Sequence, residues 1–405
     1  VRKRIRIAGL TDAIGLQLPP GTQCLYGEVD ADNPFLPCEQ MMPFLPILRV
    51  RDIDEAIAEL SRNADLRMYS TPDAMDDLND LRLALGYEKV NLVGGSYGTR
   101  AALVYIRRYE ESVRTAILNG VAPLEFTIPL YFAQSAQLTL DRILERVESN
   151  ARWREAFPDL RKKFDDILSR FDKGPVRVDV TVQGTGEVVT LELDRDAFVS
   201  SLRYQLYCTD TSRRVPAMLM QAWRGDFKPF VISSIKRNRT LSKLVALGLQ
   251  LCVTSAEDVA RIDPASIERL TRNTFLGPNR VLRQIENSRN WPRSALPKNY
   301  GDPVRSNVPT LILSGKFDPV TPPRWGQIVA DNFPNSRHIV APAAHGVGGQ
   351  CIDAIIRDFL DRGTVEGLDT TFVEQLAFPP FDLPTPNRAQ KRHRGDEAQH
   401  PENYD

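Results

Sequence analysis

Three residues of the chain have the types that nucleophilic catalysis needs: a serine, a histidine and an aspartate. A serine hydroxyl is a poor nucleophile at neutral pH, so it needs a base within hydrogen-bonding reach. Histidine is the usual base because its pKa lies near neutrality, and a carboxylate commonly fixes its tautomer. Together these residue types predict attack of a serine on an acyl group, with a covalent acyl intermediate.

Ser96 lies in the pentapeptide Gly-Gly-Ser-Tyr-Gly at residues 94–98. The short apolar run Val90–Val93 precedes it, and a helix is predicted over Thr99–Tyr109. Strand, tight turn and helix are the context that a nucleophile elbow requires. We expect a side chain at either outer glycine, 94 or 98, to collide with its neighbours. A glycine-rich turn with a bystander serine is the alternative interpretation, so other residues must decide.

The base is identified by elimination among four histidines. His393 and His400 lie in a polar C-terminal tail, and His338 lies inside a predicted strand, His338–Val340. His345 remains, in the loop after that strand. The carboxyl ends of parallel strands are where ligands meet such a sheet.

Asp318 follows the continuous apolar run Val308–Ser314 by one tight turn. A turn-forming aspartate before Pro319 is the alternative role. The chain order Ser, Asp, His is the order expected with a nucleophile elbow. We therefore predict Ser96 as nucleophile, His345 as general base and then acid, and Asp318 as the orienting carboxylate.

An oxyanion intermediate also needs hydrogen-bond donors. One should be the backbone N–H of Tyr97, which follows the nucleophile. The second should come from a glycine-rich loop after an earlier strand. No such loop is recognisable before Ser96, since Gly9, Gly15 and Gly21 lie in no suitable context.

The bulk composition is that of a globular protein. The 405 residues are 42% hydrophobic and 26% charged, and 52 basic residues balance 52 acidic ones. No basic excess indicates nucleic acid, and no apolar run is long enough to span a membrane. No zinc spacing, P-loop or dinucleotide fingerprint is found, so we predict no metal or cofactor.

The five cysteines form no recognisable disulfide framework. Cys24 and Cys38 could bridge locally in an exported protein, and free thiols are an equally good interpretation. The chain starts at Val1 with three basic residues but no complete signal peptide. We therefore expect a processed, truncated or incompletely predicted chain.

The pattern along the chain predicts four regions. Strand–helix–strand patterns indicate a parallel sheet at both ends of the folded part, and a mostly helical block with one hairpin separates them. The tail is rich in proline and charge and is predicted to be disordered. The regions are an N-terminal α/β part at 1–123, the helical insertion at 124–300, a second α/β part at 301–377 and the tail at 378–405.

One helix is predicted in more detail than the others, between Thr71 and Gly86. Thr71 is the expected N-cap, and Gly86 is the expected stop. Residues at three-to-four-residue spacing form the expected apolar face of this helix. They are Met75, Leu78, Leu81 and Leu85.

Three blocks in order resemble a known family: GGSYGTR, VPTLILSGKFDPVTPP and AAHGV. They are similar to the α/β-hydrolase peptidases of the proline iminopeptidase and tripeptidyl aminopeptidase group, over most of residues 66–375. The resemblance implies an α/β-hydrolase sheet with an inserted, mostly helical cap. It also implies a serine aminopeptidase, in which Ser96, Asp318 and His345 match the family's nucleophile, acid and base. Its substrate would be a short peptide with a free N-terminus, and the resemblance favours an exported protein without excluding the cytoplasm.

The same resemblance implies that Glu257 binds the α-amine of the substrate. Its alternative role is a charge at the N-terminus of a following helix. The chain departs from the family in three places. The oxyanion-loop block is not recognisable, Ser255 stands where relatives often carry cysteine, and Cys351 lacks its expected partner.

Two other functions remain open from the sequence. A carboxylester hydrolase could use the same three residues with another pocket. A catalytically silent fold or gene fragment that binds peptides or a partner would explain the missing second oxyanion donor.

Overall fold

The computed structural model describes residues 6–7, 25–28, 44–47, 52–181 and 186–383, except for the side chains of residues 6–7, 25–28, 44–47 and 237–244. The proposed Cys24–Cys38 bridge and the candidate oxyanion glycines at 9, 15 and 21 lie outside this part. So do residues 384–405 of the predicted tail.

Nine strands occur in the described part of the chain. They are β1 (Arg6–Ile7), β2 (Leu25–Glu28), β3 (Phe44–Ile47), β4 (Val90–Gly95), β5 (Val113–Asn119), β6 (Val176–Thr181), β7 (Val188–Leu193), β8 (Thr310–Gly315) and β9 (Ser336–Ala341). Strands β4, β5, β8 and β9 form a four-stranded sheet in that order, with all neighbours parallel. Strands β1 to β3 form a separate three-stranded sheet, and β6 and β7 form the predicted hairpin.

Fifteen α-helices accompany these strands in the same part of the chain. The first seven are α1 (Ile53–Leu60), α2 (Thr71–Ala84), α3 (Tyr97–Tyr109), α4 (Phe132–Ser149), α5 (Ala151–Ala156), α6 (Leu160–Arg170) and α7 (Arg195–Gln205). The others are α8 (Thr209–Ser212), α9 (Val215–Trp223), α10 (Lys228–Leu244), α11 (Leu247–Glu257), α12 (Pro264–Thr271), α13 (Asn279–Asn287), α14 (Pro323–Ala330) and α15 (Gln350–Arg362). Among the described residues, none of these helices combines the length and apolarity that crossing a membrane requires.

The central strands β5 and β8 are buried on both faces of the four-stranded sheet. Ala116 and Leu118 of β5 pack on the side of α3, whereas Ile117 packs on the side of α15. In β8, Ile312 faces the α3 side, and Leu311 and Leu313 face the α15 side. Successive side chains of a strand point to opposite faces, so a strand covered on both faces needs a continuous apolar run. This explains the apolar run that the sequence shows at residues 308–314.

The helix predicted from Thr71 forms, but its cap and its apolar face differ from the prediction. Ser70 is the N-cap of α2, and its hydroxyl pairs reciprocally with Asp73 in a capping box. Met75 packs against the core on the α3 side. The three leucines of the predicted face are exposed, by 40% to 61%. The predicted apolar face was therefore wrong at these leucines, because the spacing of apolar residues does not show what covers them.

The helical insertion has a hydrophobic core of its own. Phe157 directly after α5, Phe164 from α6 and Phe198 from α7 belong to this core, which we call the cap core. Phe378 and Phe381 also belong to it and are only 4% and 3% exposed. The prediction that disorder begins near residue 378 was therefore wrong, because these two rings supply apolar surface that the cap buries. The region boundaries at 123 and 300 stay predictions.

A buried ion cluster joins α3 to the end of α11. Arg100 is fully buried, and its Nη1 lies 2.8 Å from Asp258 Oδ1 and 3.9 Å from Glu257 Oε2. Burial raises the pKa of Asp258, although Arg100 and the Ile128 N–H both oppose this. Since a buried charge is tolerated only with partners, Arg100 is the counter-charge that allows two carboxylates inside the protein.

We predict that Arg100→Met lowers the free energy of unfolding by about 3–5 kcal/mol, because it leaves two buried carboxylates without a cation. Arg108→Met on the same helix is the matched control. Arg108 pairs with Asp76 at 2.6 Å, but both side chains are more than one third exposed. The control should lose about 1 kcal/mol or less. Urea unfolding at pH 7 measures both variants, and equal losses would contradict the role given to Arg100.

Candidate active site

Ser96 lies between β4 and α3 with strained backbone angles. Its φ is 53° and its ψ is −119°, values that a residue with a side chain rarely adopts. The Ser96 N–H donates to the Asn119 carbonyl oxygen at 2.9 Å. The Ser96 carbonyl oxygen accepts from the Thr99 N–H at 3.0 Å and from the Thr99 hydroxyl at 2.6 Å. These bonds hold the turn in its strained form.

The two outer glycines of the turn differ in their need for a bare Cα. A Cβ on Gly94 would lie 2.4 Å from the Gly98 carbonyl oxygen, so the strand and the helix could not approach as they do. A Cβ on Gly98 would meet no atom within 4 Å. The predicted collision is therefore confirmed at Gly94 and wrong at Gly98, because the side chain of residue 98 would point away from the strand.

Asp318 and His345 are hydrogen-bonded to each other. The Asp318 Oδ2 atom lies 2.8 Å from His345 Nδ1. The carboxylate is fully buried, and it also accepts from the backbone N–H groups of Val320 and Thr321 and from the Thr321 hydroxyl. Burial alone would raise the pKa of Asp318, but His345 and these donors outweigh it and hold that pKa below its ordinary value. An ionised carboxylate at Nδ1 favours the imidazole tautomer whose Nε2 can accept a proton.

The imidazole ring is held from two further sides. A Cβ on Gly120, whose φ is +68°, would lie 3.1 Å from His345 Cε1, so only glycine leaves this space to the ring. The backbone N–H of His345 donates to the Tyr207 carbonyl oxygen at 2.9 Å. The Tyr207 ring meets the imidazole edge-on, at a centroid distance of 5.3 Å. Tyr207 belongs to the helical insertion, and sequence reasoning missed this contact.

Asn119 connects the serine turn to the histidine loop. Its backbone oxygen accepts from Ser96, as described above. Its side-chain nitrogen donates to the Val347 carbonyl oxygen at 2.7 Å, and its side-chain oxygen accepts from the Val347 N–H at 2.9 Å. Ser96 and His345 thus lie beside the same end of β5. Within the described residues no side-chain hydrogen bond joins them directly, as is common in enzymes without substrate.

Tyr97 is the first residue of α3. Its N–H lies in the first helical turn, where N–H groups have no partner in the helix and favour negative charge. The Tyr97 hydroxyl lies 2.6 Å from the Thr71 hydroxyl. Burial, followed by the charge of Glu257, raises the pKa of the Tyr97 phenol to about 12, so the phenol is neutral at pH 7. The oxyanion role of Tyr97 stays a prediction.

Glu257 lies behind this turn, at the end of α11, and is fully buried. Its carboxylate accepts from the Thr71 N–H at 2.6 Å, from the Thr71 hydroxyl at 2.8 Å and from the Tyr300 hydroxyl at 2.5 Å. A carboxylate in this position stabilises the N-terminus of α2. The alternative role expected for Glu257 was a charge at the N-terminus of the helix that follows it. The helix whose N-terminus it contacts is instead α2, which lies earlier in the chain. The role of Glu257 as α-amine anchor stays a prediction, and in this conformation the carboxylate has no exposed surface.

The described residues hold no group of three or more histidine, cysteine, aspartate or glutamate side chains arranged to bind a metal ion. Cys208, Cys252 and Cys351 are free thiols.

A family model for the alpha/beta hydrolase fold matches residues 59–347. The chain belongs to the alpha/beta hydrolase fold family. The predicted fold is thereby confirmed, and the four-stranded parallel sheet with its helices agrees with it. The narrower assignment to the peptidases remains a proposal.

Two curated proteins are similar to this alpha/beta hydrolase. The putative hydrolase YuaR of Escherichia coli (strain K12) is 33% identical over 326 residues, which are 75% of this chain and 62% of YuaR. The acetaldehyde dehydrogenase (acetylating) EutE of Salmonella typhimurium is 50% identical over only 46 residues, 11% of this chain and 10% of EutE. The chain thus spans less than two thirds of the length of either relative.

Solved structures with similar topology include a proline iminopeptidase from Mycobacterium smegmatis, with 14% identity and a TM-score of 0.35 over 74% of each chain. A thermophilic esterase from Thermogutta terrifontis has 16% identity and a TM-score of 0.30 over 73% of this chain and 74% of its own. At these scores the superpositions add nothing to the family assignment.

We predict that Gly94→Ala destabilises the protein by about 3 kcal/mol, because the new methyl group meets backbone atoms that cannot move independently. Gly95→Ala is the matched control in the same turn, since its Cβ would meet no atom within 4 Å. The control should change the free energy of unfolding by about 0.5 kcal/mol at most. Urea unfolding compares the two, and a Gly94→Ala variant as stable as the control would refute the steric argument.

Proposed function

We propose that this alpha/beta hydrolase is a serine aminopeptidase, which cleaves peptide bonds near the free N-terminus of short peptides. The observation that carries the proposal is the buried Asp318–His345 hydrogen bond of 2.8 Å at the end of the sheet where Ser96 takes its strained turn. The resemblance of three sequence blocks to aminopeptidases supports the choice of substrate.

In the proposed reaction, the Ser96 hydroxyl attacks the carbonyl carbon of the scissile amide while His345 Nε2 takes the hydroxyl proton. The carbonyl oxygen becomes an oxyanion, which the Tyr97 N–H stabilises. His345 then gives its proton to the leaving amine as the C–N bond breaks, and an acyl ester remains on Ser96. Water, deprotonated by His345, then attacks the ester carbonyl carbon, and His345 returns the proton to Ser96 Oγ as the bond between that oxygen and the acyl carbon breaks and the acid leaves. Asp318 stays ionised throughout and stabilises the imidazolium.

One observation favours a second candidate, a carboxylester hydrolase. The carboxylate suggested to bind the substrate α-amine, Glu257, is fully buried and already accepts bonds from Thr71 and Tyr300. Without an exposed anchor for an ammonium group, the same three side chains would act on esters. The catalytically silent fold is the third candidate.

Labelling with a fluorophosphonate tests the nucleophile. We predict that the folded chain gains one phosphonyl group on Ser96 and that Ser96→Ala gains none, as measured by intact mass and peptide mapping. Asp318→Asn should react more slowly by about 10²–10⁴-fold, because the imidazole then loses its preferred tautomer. A correctly folded chain that stays unlabelled at Ser96 would support the silent fold instead.

Substrate class is tested separately with an unblocked tripeptidyl coumarin amide, its N-acetylated counterpart and p-nitrophenyl acetate. We predict turnover of the unblocked amide, with kcat/KM at least about tenfold above that of the blocked one. The acetylated N-terminus has no positive charge, so the protein group that binds the substrate ammonium would be left without a partner. Ester turnover without amide turnover would identify the carboxylester hydrolase. Ser96→Ala serves as the blank for all three substrates.

A further inference from the structure

Arg203 is a buried cation without an anionic partner in the described part of the chain. It lies on α7 and is 7% exposed. Its Nη2 donates to the Tyr207 hydroxyl at 3.2 Å, and its Nε has no hydrogen-bond partner among the described residues. Burial of a guanidinium without a counter-charge is costly, so native proteins rarely leave one unpaired.

The other buried charges show how this protein normally treats such groups. Arg100 has Asp258 and Glu257 beside it, and Asp318 has His345. Arg203 instead lies over two aromatic faces, with Cζ 4.4 Å from the Phe132 centroid and 5.0 Å from the Tyr207 centroid. Aromatic faces attract a cation, but they supply no hydrogen-bond acceptor for its N–H groups.

Arg203 is close to the candidate active site. The Tyr207 ring that it contacts also meets the His345 ring at a centroid distance of 5.3 Å. Tyr207 therefore contacts both the unpaired guanidinium and the proposed base. Arg203 is thus separated from the proposed base by one aromatic ring.

Further donors and cationic groups surround the same aromatic cluster, which we define as Phe126, Tyr131, Phe132 and Trp325. The rings of Phe126, Tyr131 and Trp325 pack on one another at centroid distances of 4.8 to 5.7 Å. The Trp325 indole N–H is buried and has no acceptor among the described residues. Arg324 lies over Trp325 at 4.9 Å, and burial lowers its pKa, with only Tyr131 opposing. The cluster thus has donors in excess of acceptors.

We propose that Arg203 binds a carboxylate of the substrate, with the aromatic cluster beside it receiving the apolar part of the same molecule. A guanidinium is a planar set of donors that matches the two oxygens of a carboxylate. The ligand class is a small acyl compound that carries a free carboxylate. This inference deepens the proposed function, since in a short peptide the group would be the C-terminal carboxylate, and in an ester it would be an acid on the acyl chain.

Binding is measured first, because it does not depend on turnover. Calorimetry on Ser96→Ala compares Ala-Ala-Ala with a free C-terminus against the same tripeptide as its C-terminal amide. We expect the acid to bind about tenfold more tightly, which is the range of a hydrogen bond to a charged group. The double variant Ser96→Ala/Arg203→Gln should bind both peptides equally.

Turnover then distinguishes the source of the carboxylate. One pair of substrates is the tripeptide acid and its amide, and the other is p-nitrophenyl hemisuccinate and p-nitrophenyl butyrate. A preference of about tenfold within the first pair assigns the C-terminal carboxylate, and one within the second pair assigns an acyl-chain acid. Arg203→Gln should reduce the preferred ratio to about one, and Arg203→Lys, which keeps the charge, should restore part of it.

Arg152→Gln is the control, because Arg152 also stacks on an aromatic ring, 4.8 Å from the Trp153 centroid, but its side chain is exposed. It should keep the wild-type ratio. If Arg203→Gln does not fold, the calorimetric comparison on Ser96→Ala alone still decides. Equal affinity for acid and amide, together with no preference within either substrate pair, would overturn the proposal. Absence of any turnover or labelling would instead overturn the proposed function.

Discussion

The reciprocal pairing of the Asn119 side chain with the Val347 backbone is the contact on which the site depends. A primary amide offers both a donor and an acceptor, so it can close two hydrogen bonds with one peptide unit. Because the Asn119 carbonyl also receives the Ser96 N–H, the serine turn and the histidine loop are fixed to one residue. Their relative position is therefore set by the end of β5.

The end of β5 is held rigidly because β5 and β8 are buried on both faces. Densely packed interiors resist displacement, so strain at Ser96 can persist when the surrounding bonds determine its geometry. Asp318 follows β8, the neighbour of β5, and meets His345 from the loop after β9. Ser96, Asp318 and His345 thus follow β4, β8 and β9, three strands of one parallel sheet, after short turns at its carboxyl end.

The sequence could predict what local pattern and turn chemistry determine. Ser96, Asp318 and His345 each follow an apolar strand run, and Gly94 is required by the turn itself. Asn119, Tyr207 and Arg203 could not be found in this way, because their roles arise from contacts across long sequence separations. The same limit explains the errors at Leu81 and Phe378, whose burial depends on what packs against them.

The buried arginines Arg100 and Arg203 differ in role: the first stabilises the fold, and the second is proposed to bind a ligand. Arg100 has its counter-charges within the chain, so its position satisfies electrostatics without any other molecule. Among the described residues Arg203 meets two aromatic faces and one phenol hydroxyl but no carboxylate, so we infer that a ligand supplies its electrostatic partner. Burying an unpaired cation near the proposed base costs stability. Binding of a substrate carboxylate to Arg203 would explain why the protein tolerates this cost. The helical insertion then contributes specificity, while the strand ends contribute the chemistry.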